Sequence, residues 1–241
     1  MIPPRETAYL RELRARLADA LGGGLVGVYL VGSAAMGAYR PGSSDLDVWA
    51  VARDDLPASV RRAVARRCDH AALPCPARGL ELVVARFAGA APVVMVNLND
   101  GPAMRRRVAT GRSRMPAAHW FTLDAAIARE RAVALCGPPP REGFPVVPRS
   151  AQLVAVRRSL AWHRRHAPGS PDAVLNALRG ARYAVEGRWC SKAEAADWAA
   201  TFRPAWEREA RAASAVSRDG PHMDYGARDF VAIDTSGGSP A

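Results

Sequence analysis

Two aspartates one residue apart, Asp45 and Asp47, are the first side chains of this sequence whose types and spacing could do chemistry. On a strand, residues two apart point to the same face with α-carbons about 6.6 Å apart. Carboxylates that close repel unless a positive charge stands between them, and a hard cation such as Mg²⁺, which takes oxygen ligands, meets that need. A pair of solvated aspartates at a strand start reads the same way. A third acid, Glu81, sits in the apolar run Leu80-Glu81-Leu82-Val83-Val84, where an unpartnered charge is costly to bury. Either Glu81 lies on an exposed strand face, or it shares the aspartates' face and three carboxylates surround one or two metals, an arrangement suited to nucleotidyl transfer. Upstream, an apolar run ends in Gly32-Ser33. Backbone N–H groups and a hydroxyl at that point form an anion site, which a phosphate approaches closely because glycine has no side chain; a plain turn is the other reading.

These residues need elements to hold them. Leu10, Leu13, Leu17 and Leu21 recur at helical spacing, and Gly22-Gly23-Gly24 ends that helix. Leu25 to Val31 and Asp45 to Val51 are β-branched, apolar runs of strand length, predicted as neighbouring strands. Val60, Val64 and Cys68 predict a covering helix between Leu56 and Asp69, and Leu80 to Phe87 and Val93 to Leu98 predict two further strands. Pro138-Pro139-Pro140 and the stretch from Gly143 to Pro148 form the clearest composition break. Beyond it the pattern is helical: Leu153, Val156 and Leu160, then Val174, Leu178, Ala181 and Val185, then a capping-box signature at Ser191 and Glu194. The expected organisation is α/β (α+β), with a small mixed sheet flanked by helices over residues 1–148, an all-helical bundle over 149–234, and a disordered tail over 235–241.

The 241 residues, 49% hydrophobic and 24% charged, are ordinary globular proportions that bury a core without staples. No run approaches the roughly 18 apolar residues of a membrane span, and the N-terminus lacks the layout of a secretory signal, so a cytoplasmic location and no membrane partner are expected. The four cysteines lack the spacing of a zinc or redox motif. The formal net charge of +11 favours an anionic partner, but Lys192 is the only lysine and the arginines are spread along the chain, so they read as solvated helix faces rather than a nucleic-acid stripe.

Taken together, Gly32-Ser33, Gly37, Ser44-Asp45-Leu46-Asp47 and the later strand acid resemble the nucleotidyltransferase signature of the DNA polymerase β-like superfamily. More narrowly, the chain is similar to the aminoglycoside adenylyltransferases that modify streptomycin and spectinomycin. The likeness runs through Arg129-Glu-Arg-Ala-Val-Ala-Leu-Cys-Gly-Pro138, Val174-Leu-Asn-Ala-Leu-Arg179 and Ser191-Lys-Ala-Glu-Ala-Ala-Asp-Trp-Ala199, covering roughly residues 8 to 232. The resemblance implies an N-terminal nucleotidyltransferase domain and a C-terminal helical domain that bind ATP and the drug between them. It implies that Asp45 and Asp47 bind magnesium, with Glu81 beside them as general base for the drug hydroxyl and a third carboxylate at the metal. It also implies that Gly32, Ser33 and Ser44 lie near the triphosphate and that Arg179 and Lys192 reach ATP. The expected reaction is Mg²⁺-dependent AMP transfer from ATP to a hydroxyl of an aminoglycoside or aminocyclitol, releasing pyrophosphate; a monomer is expected rather than an oligomer.

Two features bear on the acceptor. The streptomycin-modifying members use a tryptophan after the catalytic strands and an acid at the start of the helical-domain motif. Here Asn97 to Arg107 holds no tryptophan, and the acid's place falls near Gly169, with Asp172 nearly one turn later. Spectinomycin or another aminocyclitol is therefore at least as good a substrate as streptomycin. A cationic drug needs a locally acidic site, for which Asp100 and Asp172 join Glu81 as candidates, with Asn97 and Asn99 as neutral partners. The alternatives are nucleotide transfer to RNA or a protein, and a non-catalytic binding or antitoxin module on the same scaffold.

Overall fold

A computed structural model describes residues 2–111 and 115–215. The chain divides into two compact units, Met1–Val147 and Pro148–Ala241, within the proline-rich stretch that marks the composition break. The tail expected from Thr235 lies outside the described residues.

In the first unit α1 (Pro4–Leu21) leads through a three-glycine turn into β1 (Leu25–Val31), a four-residue helix α2 (Gly32–Ala35) and β2 (Leu46–Ala52). Next come α3 (Ala58–Arg67), β3 (Leu80–Ala88), β4 (Ala91–Gly101), β5 (Met104–Ala109), α4 (Ala118–Arg131), β6 (Val133–Cys136) and α5 (Pro140–Gly143). The strands form one mixed sheet in the order β5-β4-β3-β2-β1-β6, in which β2 and β3 are parallel and the other pairs antiparallel. The parallel pair follows from the α3 crossover, because parallel neighbours need a long connection. Strands β5 and β6 were not among the expected elements. Arg105-Arg106-Arg107 disguises β5 as a charge run, and β6 has only four residues, too few for periodicity to register.

Alternation along the strands gives the sheet two apolar faces, each with its own core. Leu46, Val48, Leu80, Leu82 and Leu98 pack with Leu10, Leu13 and Leu17 of α1 and Val64 of α3. The opposite face sets Tyr29, Trp49, Val51 and Val83 against Phe121 and Ala125 of α4 and against Phe144. Both faces are covered, so Trp49 is 2% exposed at the centre of a ring cluster, 5.7 Å from Phe144 and 6.4 Å from Phe121.

The second unit is helical throughout its described part: α6 (Arg149–His166), α7 (Pro171–Glu186), α8 (Lys192–Phe202) and α9 (Glu207–Ala215). Its core joins Val174, Ala177 and Leu178 of α7 to Ala195, Ala196 and Ala199 of α8 and Trp206. Small alanines facing one another let these helices approach closely. The capping box read from Ser191 and Glu194 is present in both halves: Glu194 N–H donates to Ser191 Oγ (3.1 Å) and Ser191 N–H donates to Glu194 Oε2 (2.7 Å). No helix among the described residues is long and apolar enough to cross a membrane.

Candidate active site

Strand register assembles the site. Across the sheet Val31 pairs with Asp47, Asp47 with Glu81, Glu81 with Asn99, and Asn99 with Arg107. Residues in register share a face, and neighbouring strands are about 4.8 Å apart, so Asp47, Glu81 and Asn99 stand shoulder to shoulder. The adjacent row on that face is Tyr29, Trp49, Val83 and Asn97. Asp47 and Glu81 are each the second residue of a strand, one step beyond buried Trp49 and Val83. The polar row thus begins where the apolar core ends, and both carboxylates remain partly exposed.

Gly32 is required where it stands. Its φ is +63°, and a side chain there would place Cβ 1.9 Å from Asp47 Oδ2. The Asp47 carboxylate therefore occupies the space that any other residue would fill. Ser33 follows on the short turn, half-buried, its carbonyl accepting from Ala38 N–H at 2.9 Å. Ser44 closes the loop at its other end: Arg40 N–H donates to Ser44 Oγ (3.0 Å) while Ser44 N–H donates to the Arg40 carbonyl (2.9 Å). Within that loop Tyr39 Oη donates to Glu6 on α1 at 3.0 Å, and burial together with the Glu6 carboxylate pushes the Tyr39 phenol above its ordinary range.

Asp45 departs from the expected geometry. The strand begins at Leu46, so alternation from Asp47 does not orient Asp45. Its side chain is 2% exposed and its Oδ1 lies 3.2 Å from Arg78 Nη1. Asp45 is thus tied to a guanidinium, whereas Asp47 and Glu81 are brought together by register. No group of three or more His, Cys, Asp or Glu side chains among the described residues is disposed to hold a metal ion as they stand. The donor set nevertheless suits a hard cation: two in-register carboxylates, a third two residues upstream, and a glycine whose missing side chain makes room for one of them. Arg78 escaped sequence reading, since one arginine before a strand looks like any other.

On β4 the two asparagines join the carboxylate face and are linked, Asn99 Nδ2 donating to Asn97 Oδ1 at 3.0 Å. Asp100, one residue on, points to the other side in register with Leu80. It is buried, accepts from His70 N–H at 2.9 Å and lies 3.6 Å from Arg106 Nε, so it braces the loop after α3 instead of facing Glu81.

In the helical unit, the predicted cations lie in a polar cluster. Ser170 caps α7 by accepting from Ala173 N–H, and Asp172, in the first turn, accepts from Lys192 Nζ at 2.7 Å. Arg179 Nη2 donates to Asn176 Oδ1 (2.9 Å), Asn176 Nδ2 lies 3.3 Å from His163 Nε2, and His163 Nδ1 lies 2.9 Å from the Ser159 carbonyl. With the Asn176 oxygen committed to arginine, its amide donates to Nε2 and Nδ1–H donates to the carbonyl, which defines a neutral imidazole. Burial agrees, holding the His163 pKa below its ordinary value. His163 carried no sequence signal, and Asn176, although it lies within the Val174 to Arg179 stretch, was not singled out because an arginine-supporting amide has no characteristic spacing.

A six-stranded mixed sheet flanked by helices and followed by a helical region matches a nucleotidyltransferase fold. Among solved structures, the chain is similar to spectinomycin adenyltransferase AAD(9) from Enterococcus faecialis, determined with ATP and spectinomycin. The TM-score is 0.67 at 14% identity, over 93% of this chain and 96% of that one. A toxin-antitoxin solved with AMP-PNP matches 64% of this chain and 90% of its own at 15% identity, with a TM-score of 0.31. No family model and no curated protein matches the sequence.

Proposed function

We propose that this protein transfers AMP from ATP to a hydroxyl of an aminocyclitol or aminoglycoside, with spectinomycin-like acceptors at least as favoured as streptomycin. The observation that carries the reading is the register of Asp47 beside Glu81, with Asp47 seated over Gly32 on a nucleotidyltransferase fold. Asp45, Asp47 and Glu81 would hold Mg²⁺, which when bound neutralises phosphate charge and holds the α-phosphate for in-line attack. Gly32, Ser33 and Ser44 form the turn and loop that receive the triphosphate. Arg179 and Lys192 are the helical unit's cations for the nucleotide.

Glu81 accepts the proton of the acceptor hydroxyl, whose oxygen bonds to the α-phosphorus as the bond to the β-phosphate oxygen breaks and pyrophosphate leaves. Asn97 and Asn99 extend the Glu81 row and supply neutral hydrogen-bonding groups to the acceptor. Asp172, held by Lys192, is the acid the helical unit offers to a cationic drug. The protein works as a cytoplasmic monomer.

The test is pyrophosphate release with ATP and Mg²⁺ in the presence of spectinomycin, streptomycin, kanamycin or no acceptor. Release that requires an aminocyclitol and disappears in Asp47→Asn supports the reading. ATP binding without release with any drug would overturn the acceptor assignment and direct the next panel to RNA and proteins.

A further inference from the structure

Asp45, a proposed metal ligand, is paired by the fold with the Arg78 guanidinium. Its partner is held firmly. Arg78 N–H donates to the Ser44 carbonyl (3.3 Å), the Arg78 carbonyl accepts from Ala103 N–H (3.1 Å), and the next carbonyl, Gly79, accepts from Leu46 N–H (2.8 Å). On the far side Gly101 packs so tightly that a Cβ there would lie 2.3 Å from Gly79 Cα and 2.8 Å from the Arg78 carbonyl oxygen. The Arg78 backbone is therefore clamped between the segment bearing Ser44 and Leu46 and the β4–β5 turn, and its side chain, 17% exposed, delivers the guanidinium to an almost fully buried carboxylate. Guanidinium keeps its charge at any physiological pH, so this counter-ion cannot be lost by titration.

We propose that Arg78 is a positioning residue that competes with the divalent cation for Asp45, so that the nucleotide-free protein binds metal weakly and the metal enters together with the triphosphate. The proposal rests on the metal-dependent reading above. A cation arriving at Asp45 either displaces the guanidinium from Oδ1 or binds Oδ2 with a positive charge beside it; both lower its affinity. The phosphates of ATP offset that repulsion, so Arg78 makes metal and nucleotide binding mutually reinforcing.

The experiment is Mn²⁺ titration by electron paramagnetic resonance on the nucleotide-free protein, comparing wild type with Arg78→Gln and Arg78→Lys. The expected result is that Arg78→Gln binds Mn²⁺ about tenfold more tightly, that Arg78→Lys stays near wild type, and that Asp45→Asn in the Arg78→Gln background abolishes the gain. Equal or weaker Mn²⁺ binding by Arg78→Gln overturns the proposal. Should Arg78→Gln unfold without metal, recovery of its melting transition on adding Mg²⁺ supports the competition, and failure to recover counts against it. Tighter Mn²⁺ binding in a protein that releases no pyrophosphate with any acceptor would leave the competition standing and overturn only the function; drug-dependent release with unchanged Mn²⁺ affinity would do the reverse.

Discussion

The carboxylates of the sheet and the cations of the helical unit are placed by different physics. Asp47, Glu81 and Asn99 are aligned by backbone hydrogen bonding between strands, so their mutual positions are set before any side-chain contact is made. Arg179 and Lys192 are bonded to side-chain partners: Asn176, which itself lies against His163, and Asp172, in the first turn of α7. A register-built site is rigid and tolerates only the residues that fit its backbone, whereas a partner-built one depends on protonation and on each link in the chain.

Two left-handed glycines, one in each unit, make this contrast measurable. Gly32 and Gly187 have φ of +63° and +68°, but a Cβ on Gly32 would strike Asp47 while one on Gly187, at the C-cap of α7, meets nothing within 4 Å. Gly32→Ala should therefore cost about 2–3 kcal/mol and displace the carboxylate, and Gly187→Ala about 1 kcal/mol from backbone strain alone. Chemical denaturation of both variants checks this; equal costs would mean that the Gly32 gap does not define the Asp47 position.

The pH response should belong to the helical unit. His163 is neutral when folded and its pKa is lowered mainly by burial, so the unfolded chain takes up a proton first. That stability is fully present above about pH 6.5 and is lost as pH falls from there through the lower folded value. Thermal melts across this window should show a slope for the second unit that His163→Gln flattens; an unchanged slope would remove His163 from the account. The smallest stability effect is expected at Lys192→Ala, because the Lys192–Asp172 pair is 25% and 31% exposed and such pairs contribute about 1 kcal/mol or less. The larger consequence for Lys192→Ala is a raised KM for ATP with kcat changed less, measured by steady-state pyrophosphate release.

Legibility in the sequence followed the same division. The α/β then all-helical order, the opening helix, β1 and the capping box at Ser191 were readable because periodicity and caps are local signals. The face shared by Asp47 and Glu81 was conditional on which strands neighbour, a fact set by the α3 crossover and invisible in either segment alone. Asp45 read as the strand partner of Asp47, but the strand starts one residue later and burial beside Arg78 decides its partner. Asp100 read as an acceptor-side acid, and a single step of strand alternation turns it to the opposite face. Lys192 and Asp172 were each named from the chain, but their pairing joins the first turns of two helices and leaves no pattern in either.

The central claim, that the register-built row performs the chemistry, is tested most directly at Glu81→Gln by measuring ATP binding and acceptor-dependent pyrophosphate release on one preparation. The substitution keeps the size of the side chain and removes the proton acceptor, so ATP affinity should be retained while turnover falls by about 10²–10⁴-fold. Parallel loss of ATP binding and turnover would mean that Glu81 serves only to hold the metal and does not move the proton. Unchanged turnover would contradict the catalytic role of the row altogether.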